Sequence, residues 1–172
     1  ETAKKLLKSN GSGALDGTHD ARDGGSDDRV AAAEKALWAL REIAAREPLY
    51  AITDGARDER IVRILRESVE RHESLYDGVD GEALEDVAPY LAGPMRADSM
   101  LLDRLVLEGW GNRWGILVTS PAPFKEVRRH FRRFLMVEME ETEQKLYFRF
   151  YDPVVLERFT NHWTPAQKRD LM

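Results

Sequence analysis

Tyr50-Ala-Ile-Thr-Asp-Gly-Ala-Arg-Asp58 is a short apolar run that stops at an Asp-Gly turn. The same design recurs at Glu108-Gly-Trp-Gly-Asn-Arg-Trp-Gly115 and at Phe148-Arg-Phe-Tyr-Asp-Pro153, which break at Gly, Asn, Asp or Pro. Asp and Gly tolerate turn geometry, and Pro pre-sets a first helical turn, so these are junctions between strands and helices. None of them carries a catalytic motif.

The segments around these junctions alternate in period. Ala33, Leu37, Leu40 and Ala44 recur at helical spacing and stop before Pro48. Residues 49–53 read as a buried strand. Residues 60–71 read as a helix, with Ile61, Ile64 and Leu65 on one stripe and Arg63, Arg66 and Arg71 solvated. Strands are expected at 73–76 and 88–92, with Pro89 confined to an edge or a strand start. Asp98 or Ser99 caps a helix that carries Leu101, Leu102, Leu105 and Val106. Trp114 to Thr119 has the β-branched, apolar character of a central strand. Phe124, Val127, Phe131, Phe134 and Leu135 then form one helical face, a hairpin joins 137–140 to 145–150, and Pro153 opens a helix over 154–163. The order β-α-β-β-α-β-α-β-β-α predicts a three-layer α/β domain. Its sheet is expected to be mixed but mostly parallel, with five to six strands flanked by helices, because helix-joined strands usually pair in parallel.

Length and composition bound the rest. A chain of 172 residues fits one domain and can bury roughly two thirds of its unfolded surface. A net charge of -5 makes no global case for nucleic acid. The absence of cysteine excludes disulfides, thiolate nucleophiles and Cys-based zinc sites. No apolar run approaches the roughly 20 residues of a membrane span, and Lys4 to Lys8 leads into polar sequence rather than a signal-peptide core. A soluble, cytoplasmic protein is expected. Residues 1–28 read as a flexible tail or tethered segment, because 9–28 are rich in Gly, Ser and Asp and poor in large apolar side chains. Glu1 to Lys8, with Leu6 and Leu7, fits a native tail, a cloning scar or a tethered partner peptide equally well. The folded domain is expected over 29–172. A first residue of Glu1 and an abrupt stop at Met172 read as a processed or cut chain.

The three junctions, together with Ser74-Leu-Tyr-Asp-Gly78 and Val87-Ala-Pro-Tyr-Leu91, follow an order that resembles the adaptor-chaperone family of bacterial type VI secretion, the Tap or TEC proteins. The likeness runs from about Leu49 to the C-terminus. It implies a non-enzymatic adaptor that holds an effector and docks it on the valine–glycine-repeat spike, with no cofactor, nucleic acid or membrane involved. The family usually continues into a variable helical lobe, which is expected to be absent here.

Asp54 and Asp77 each follow an expected strand, where ligands of open α/β sheets bind. With Asp58, Asp80 or Asp152 they could hold magnesium in a phosphoryl or nucleotide hydrolase, the alternative function. Turn chemistry explains Asp-Gly more simply, and no phosphate motif accompanies these acids. Gly109 to Gly115 is preceded by a helix and followed by a strand, the reverse of a dinucleotide loop, so its glycines fit a helix cap. Trp110 and Trp114 fit either core packing or interface anchors. Lys125, Arg128, Arg129, Arg132 and Arg133, against the single acid Glu126, are expected opposite the Phe124/Val127/Phe131 stripe. Such a ridge is either a solvated face or a surface for an acidic partner, where Arg offers a bidentate fork. His19, His72, His130 and His162 show no zinc-enzyme spacing. The expected partner-binding residues are therefore Arg128, Arg129, Arg132, Arg133, Trp110 and Trp114.

Overall fold

The structure, a computed structural model, describes residues 24–76, 84–138 and 145–171. Helix α1 (Gly24–Ala44) leads into strand β1 (Leu49–Asp54), which is buried at every position. Alternation along β1 sends Leu49 and Ala51 into one apolar cluster and Tyr50 and Ile52 into a second. The strand is therefore covered on both faces. Helix α2 (Glu59–Glu67) starts on Asp58, whose carboxylate accepts a hydrogen bond from the Arg60 amide, and it buries Ile61, Val62, Ile64 and Leu65. Strands β2 (His72–Ser74) and β3 (Pro89–Met95) follow. Helix α3 (Met100–Leu107) is capped by Ser99 and leads to β4 (Gly115–Thr119).

The expectation of a mostly parallel sheet with five to six strands is overturned. Among the described residues, the main sheet has four strands in the order β2-β3-β1-β4, and every neighbouring pair is antiparallel. Strands β1 and β2 do run the same way, as a helical crossover requires, but β3 inserts between them. In the same manner β1 inserts between β3 and β4. This is the split, ferredoxin-like β-α-β-β-α-β arrangement. Two further expectations change with it. The 115–119 segment is an edge strand rather than a central one, and the hairpin of β5 (Met136–Glu138) and β6 (Lys145–Tyr147) makes its own two-stranded sheet.

One face of the main sheet is covered by α1, α2 and α3 through Leu37, Leu40, Ile64, Leu65, Leu101 and Leu102. The other is covered by α4 (Phe124–Arg132) and by the segment from Phe148 into α5 (Pro153–Thr160). Leu171, at the end of α6 (Pro165–Leu171), closes this second cluster. Phe131 stacks on Phe150 at 5.6 Å between centroids, which makes this face largely aromatic. Gly115 lets β4 approach β1: a Cβ there would lie 2.1 Å from the Ile52 carbonyl oxygen. The expected flexible segment 1–28 lies outside the described residues as far as 23, and residues 24–28 form the start of α1. Among the described residues, no helix is long and apolar enough to cross a membrane.

Candidate functional site

The three junction motifs meet at one place. Asp54 ends β1, Asp152 precedes α5, and both are buried, at 1% and 2% exposure. Arg149 donates a hydrogen bond to Asp54. Arg57 donates to Asp152 at 2.7 Å and lies 4.0 Å from Asp54. Arg113 grips Asp152 through both Nε, at 3.1 Å, and Nη2. Two carboxylates are thus enclosed by three partly exposed guanidiniums, which come from the turn after β1, the α3–β4 loop and the approach to α5. Asp152 also accepts from the Val154 and Val155 amides at 2.9 and 3.4 Å, so it caps α5 while it binds the arginines.

Burial would raise the pKa of Asp152, but the Arg113 hydrogen bond, the Val154 and Val155 amides and the Arg113 charge hold it below the usual carboxylate range. The Asp54 hydrogen bond likewise raises Arg149, against a smaller opposing effect of burial. Burial and the Asp54 charge push the Tyr151 phenol up to about 12, so it stays protonated beside the cluster. Arg113 sits at φ 58, a left-handed conformation that costs a non-glycine residue roughly 1–2 kcal/mol. Its bidentate grip on Asp152 offsets that cost. Asp54 and Asp152, two of the carboxylates that sequence reading offered to magnesium, are therefore acceptors for arginine. Asp58 is likewise bound to Arg60, whose side-chain hydrogen bond lowers its pKa. Asp77 and Asp80 lie outside the described residues. Among the described residues, no group of three or more His, Asp or Glu could hold a metal ion.

The basic helix divides. Phe124, Val127 and Phe131 are buried as expected, and Phe134 packs against the same cluster. Arg128, expected on the outer ridge, turns inward instead. Its Nε donates to the Ser74 carbonyl at 2.8 Å and its Nη2 to the Tyr76 carbonyl at 3.1 Å. It also pairs with Glu73 at 3.3 Å. The cause is spacing: Arg128 lies four residues after Phe124 and three before Phe131, on the margin of the apolar face. Arg129, Arg132 and Arg133 do share a surface. With Leu84, Met136 and Tyr147 they line a shallow depression of about 530 Å³ between α4 and the β5–β6 hairpin. Leu84, Met136 and Tyr147 are all exposed.

The two tryptophans separate as well. Trp114 belongs to the first core cluster, with the Arg60 guanidinium 4.9 Å from its ring centroid. Trp110 is half-buried against that cluster, and its carbonyl accepts from Arg29 Nε at 2.8 Å. His72, His130 and His162 each bond a backbone carbonyl, as structural histidines do. Sequence reading missed Arg57, Arg113 and Arg149. The signal available was Arg57, placed three residues after Asp54 on the same turn.

No curated protein and no solved structure matches the chain. Residues 49–170, which take in the whole β-α-β-β-α-β unit, the Asp54/Asp152 cluster and the basic helix, match one family across more than half of the sequence. The chain belongs to the DUF4123 family, described as a domain of unknown function.

Proposed function

We propose that this chain is a non-enzymatic adaptor-chaperone of a bacterial type VI secretion system, which binds an effector in the cytoplasm and helps load it onto the valine–glycine-repeat spike. The family membership and the resemblance of the five ordered motifs to Tap or TEC proteins support this reading. The observation that carries it is the depression beside β2, where Arg129, Arg132 and Arg133 adjoin exposed Leu84, Met136 and Tyr147.

Such a surface suits an acidic, partly apolar client segment. Guanidiniums fix the position of carboxylates through paired hydrogen bonds, and burial of apolar side chains supplies the affinity. The Asp54/Asp152 cluster serves this function indirectly by locking three loops to the sheet, so that the binding surface is rigid before the client arrives. No step of this mechanism makes or breaks a covalent bond.

The test begins with affinity capture from a bacterium that carries a type VI system, followed by identification of the bound proteins. Binding of the recovered effector is then measured for the wild type and for an Arg129→Glu/Arg133→Glu variant at two salt concentrations. The variant should bind more weakly, with a flatter salt dependence and a slower association rate, while its circular dichroism is unchanged. Unchanged affinity in the folded variant removes this surface from the mechanism.

A further inference from the structure

The two edges of the main sheet are finished in opposite ways. At the β2 edge, the carbonyls of Ser74 and Tyr76 face outward, and Arg128 takes both. Among the described residues, nothing pairs with the β4 edge in this way. The Asp54 amide donates to the Trp114 carbonyl at 2.8 Å, and the Ser120 amide donates to the Pro48 carbonyl at 3.1 Å. With the register of β1 and β4, this places the ladder bonds at 114, 116, 118 and 120. The amides and carbonyls of Gly115, Leu117 and Thr119 therefore point away from the sheet, and no strand among the described residues pairs with them.

Exposed edges are normally blunted by charge, proline or a bulge. The β4 sequence Gly-Ile-Leu-Val-Thr contains no charge and no proline, and its register with β1 is unbroken. Its outer side opens into a groove of about 860 Å³ between α1 and α5. Trp38, 69% exposed, and Ile43 stand on one wall and Val154 on the other. The rim carries Glu42, Glu47 and Glu157 against Arg46, Arg113 and Lys168, three acids to three bases. Several of these charges are already engaged nearby: Arg46 pairs with Glu42 at 3.2 Å, and Arg113 with Asp152.

We infer that β4 is a strand-addition site that takes an extended, net-neutral segment of a partner protein, with apolar side chains at alternate positions. The partner's backbone bonds to Gly115, Leu117 and Thr119, and its alternate side chains enter the groove beside Trp38 and Val154. With Arg113 already paired to Asp152, nearly as many bases as acids remain, so the rim gives a strongly charged segment no advantage, which sets this partner apart from the acidic one proposed for the arginine depression. The inference stands on the β4 edge alone and does not depend on the adaptor reading.

Hydrogen exchange on the full chain tests it first without any ligand. The amides of Gly115, Leu117 and Thr119 should exchange at least about tenfold faster than those of Ile116 and Val118. Protection of all five in the free monomer would mean that the edge is already covered, and would overturn the proposal. The probe is then a fluorescent nine-residue peptide of alternating Thr and Val with blocked ends. It should protect the three outward amides, and a version N-methylated at alternate residues should not. Thr119→Pro removes one outward amide and leaves the β1 ladder whole, a position where a sheet edge tolerates proline. It should weaken the probe about three- to tenfold, one hydrogen bond's worth. Trp38→Ala, at an exposed side chain, should weaken it similarly and serves if Thr119→Pro does not fold. No protection by the probe at millimolar concentration refutes the inference. So does a dimer, seen by light scattering, that Trp38→Ala dissolves, since the edge would then belong to a second copy of this chain.

Discussion

Replacement of Asp152 by Asn measures what the buried charge cluster contributes. The change keeps the shape of the side chain and its ability to cap α5, because Asn and Asp are comparable N-caps. It removes the negative charge that Arg57 and Arg113 share. Stripping one partner from a fully buried pair costs about 3–5 kcal/mol. Here the guanidiniums are 31% and 39% exposed, so they regain part of their hydration when the carboxylate is gone. Each of the two charge-assisted hydrogen bonds to Oδ2 is worth about 1.5–3 kcal/mol when both partners are buried, and rehydration of the two guanidiniums roughly halves their sum, to an expected cost of about 1.5–3 kcal/mol. Asp152→Ala should cost about 1 kcal/mol more, because the cap is lost as well. Urea unfolding followed by tryptophan fluorescence reads both.

The pH dependence supplies a second check. The carboxyl of folded Asp152 is held below its ordinary pKa. Its contribution is therefore complete above the unfolded value of about 3.9 and fades as pH falls through the folded value. The penalty of Asp152→Asn should be constant from pH 7 to about pH 5 and shrink below about pH 4. A penalty under about 0.5 kcal/mol at pH 7, or one of equal size at pH 3, refutes the assignment of the cluster as an electrostatic lock.

Three other outcomes follow from named contacts. Phe131→Ala should cost about 3–5 kcal/mol in urea unfolding, because Phe131 is buried and stacked on Phe150; less than about 1 kcal/mol would mean that the ring is not core. Arg128→Ala leaves the Ser74 and Tyr76 carbonyls without their donor and should cost about 1.5–3 kcal/mol, whereas Arg129→Ala, on the exposed side, should stay within about 0.5 kcal/mol. Magnesium at 10-fold steps up to about 10 mM should leave the melting temperature unchanged; a rising value would revive the hydrolase reading through mass action on a metal site.

Much of the architecture was legible in local pattern. Helical spacing in Ile61, Ile64 and Leu65, the Ser99 cap and Pro153 each marked an element that the structure contains. The direction of the sheet was not, because the pairing of strands is non-local. A helix between two strands shows that they run the same way, but it does not show that they are neighbours. Here β3 and β1 each intrude between a helix-linked pair, and the parallel expectation becomes an antiparallel sheet. The charge cluster was hidden for a related reason. Asp54 and Asp152 read correctly as turn and cap residues, but their arginines lie far along the chain: 95 residues separate Arg57 from Asp152 and Arg149 from Asp54. Arg128 was the exception that spacing could have revealed, since i+4 from Phe124 points toward the sheet.

The two surfaces proposed here lie at opposite edges of one sheet. The arginine depression is lined by Leu75 and Tyr76, which follow β2, and the groove by β4; the two strands themselves lie three spacings, roughly 14 Å, apart. They should therefore be separable by mutation and by salt. Arg129→Glu/Arg133→Glu should reduce effector binding most at low ionic strength, where screening is weak, and leave the alternating Thr/Val probe unaffected. Trp38→Ala should do the reverse, with a loss that salt barely changes. An adaptor that hands one protein to another needs two sites that can be filled together, and two sheet edges meet that geometric requirement. If either variant abolishes both interactions while the protein remains folded, the surfaces form one site and the case for independent edges fails.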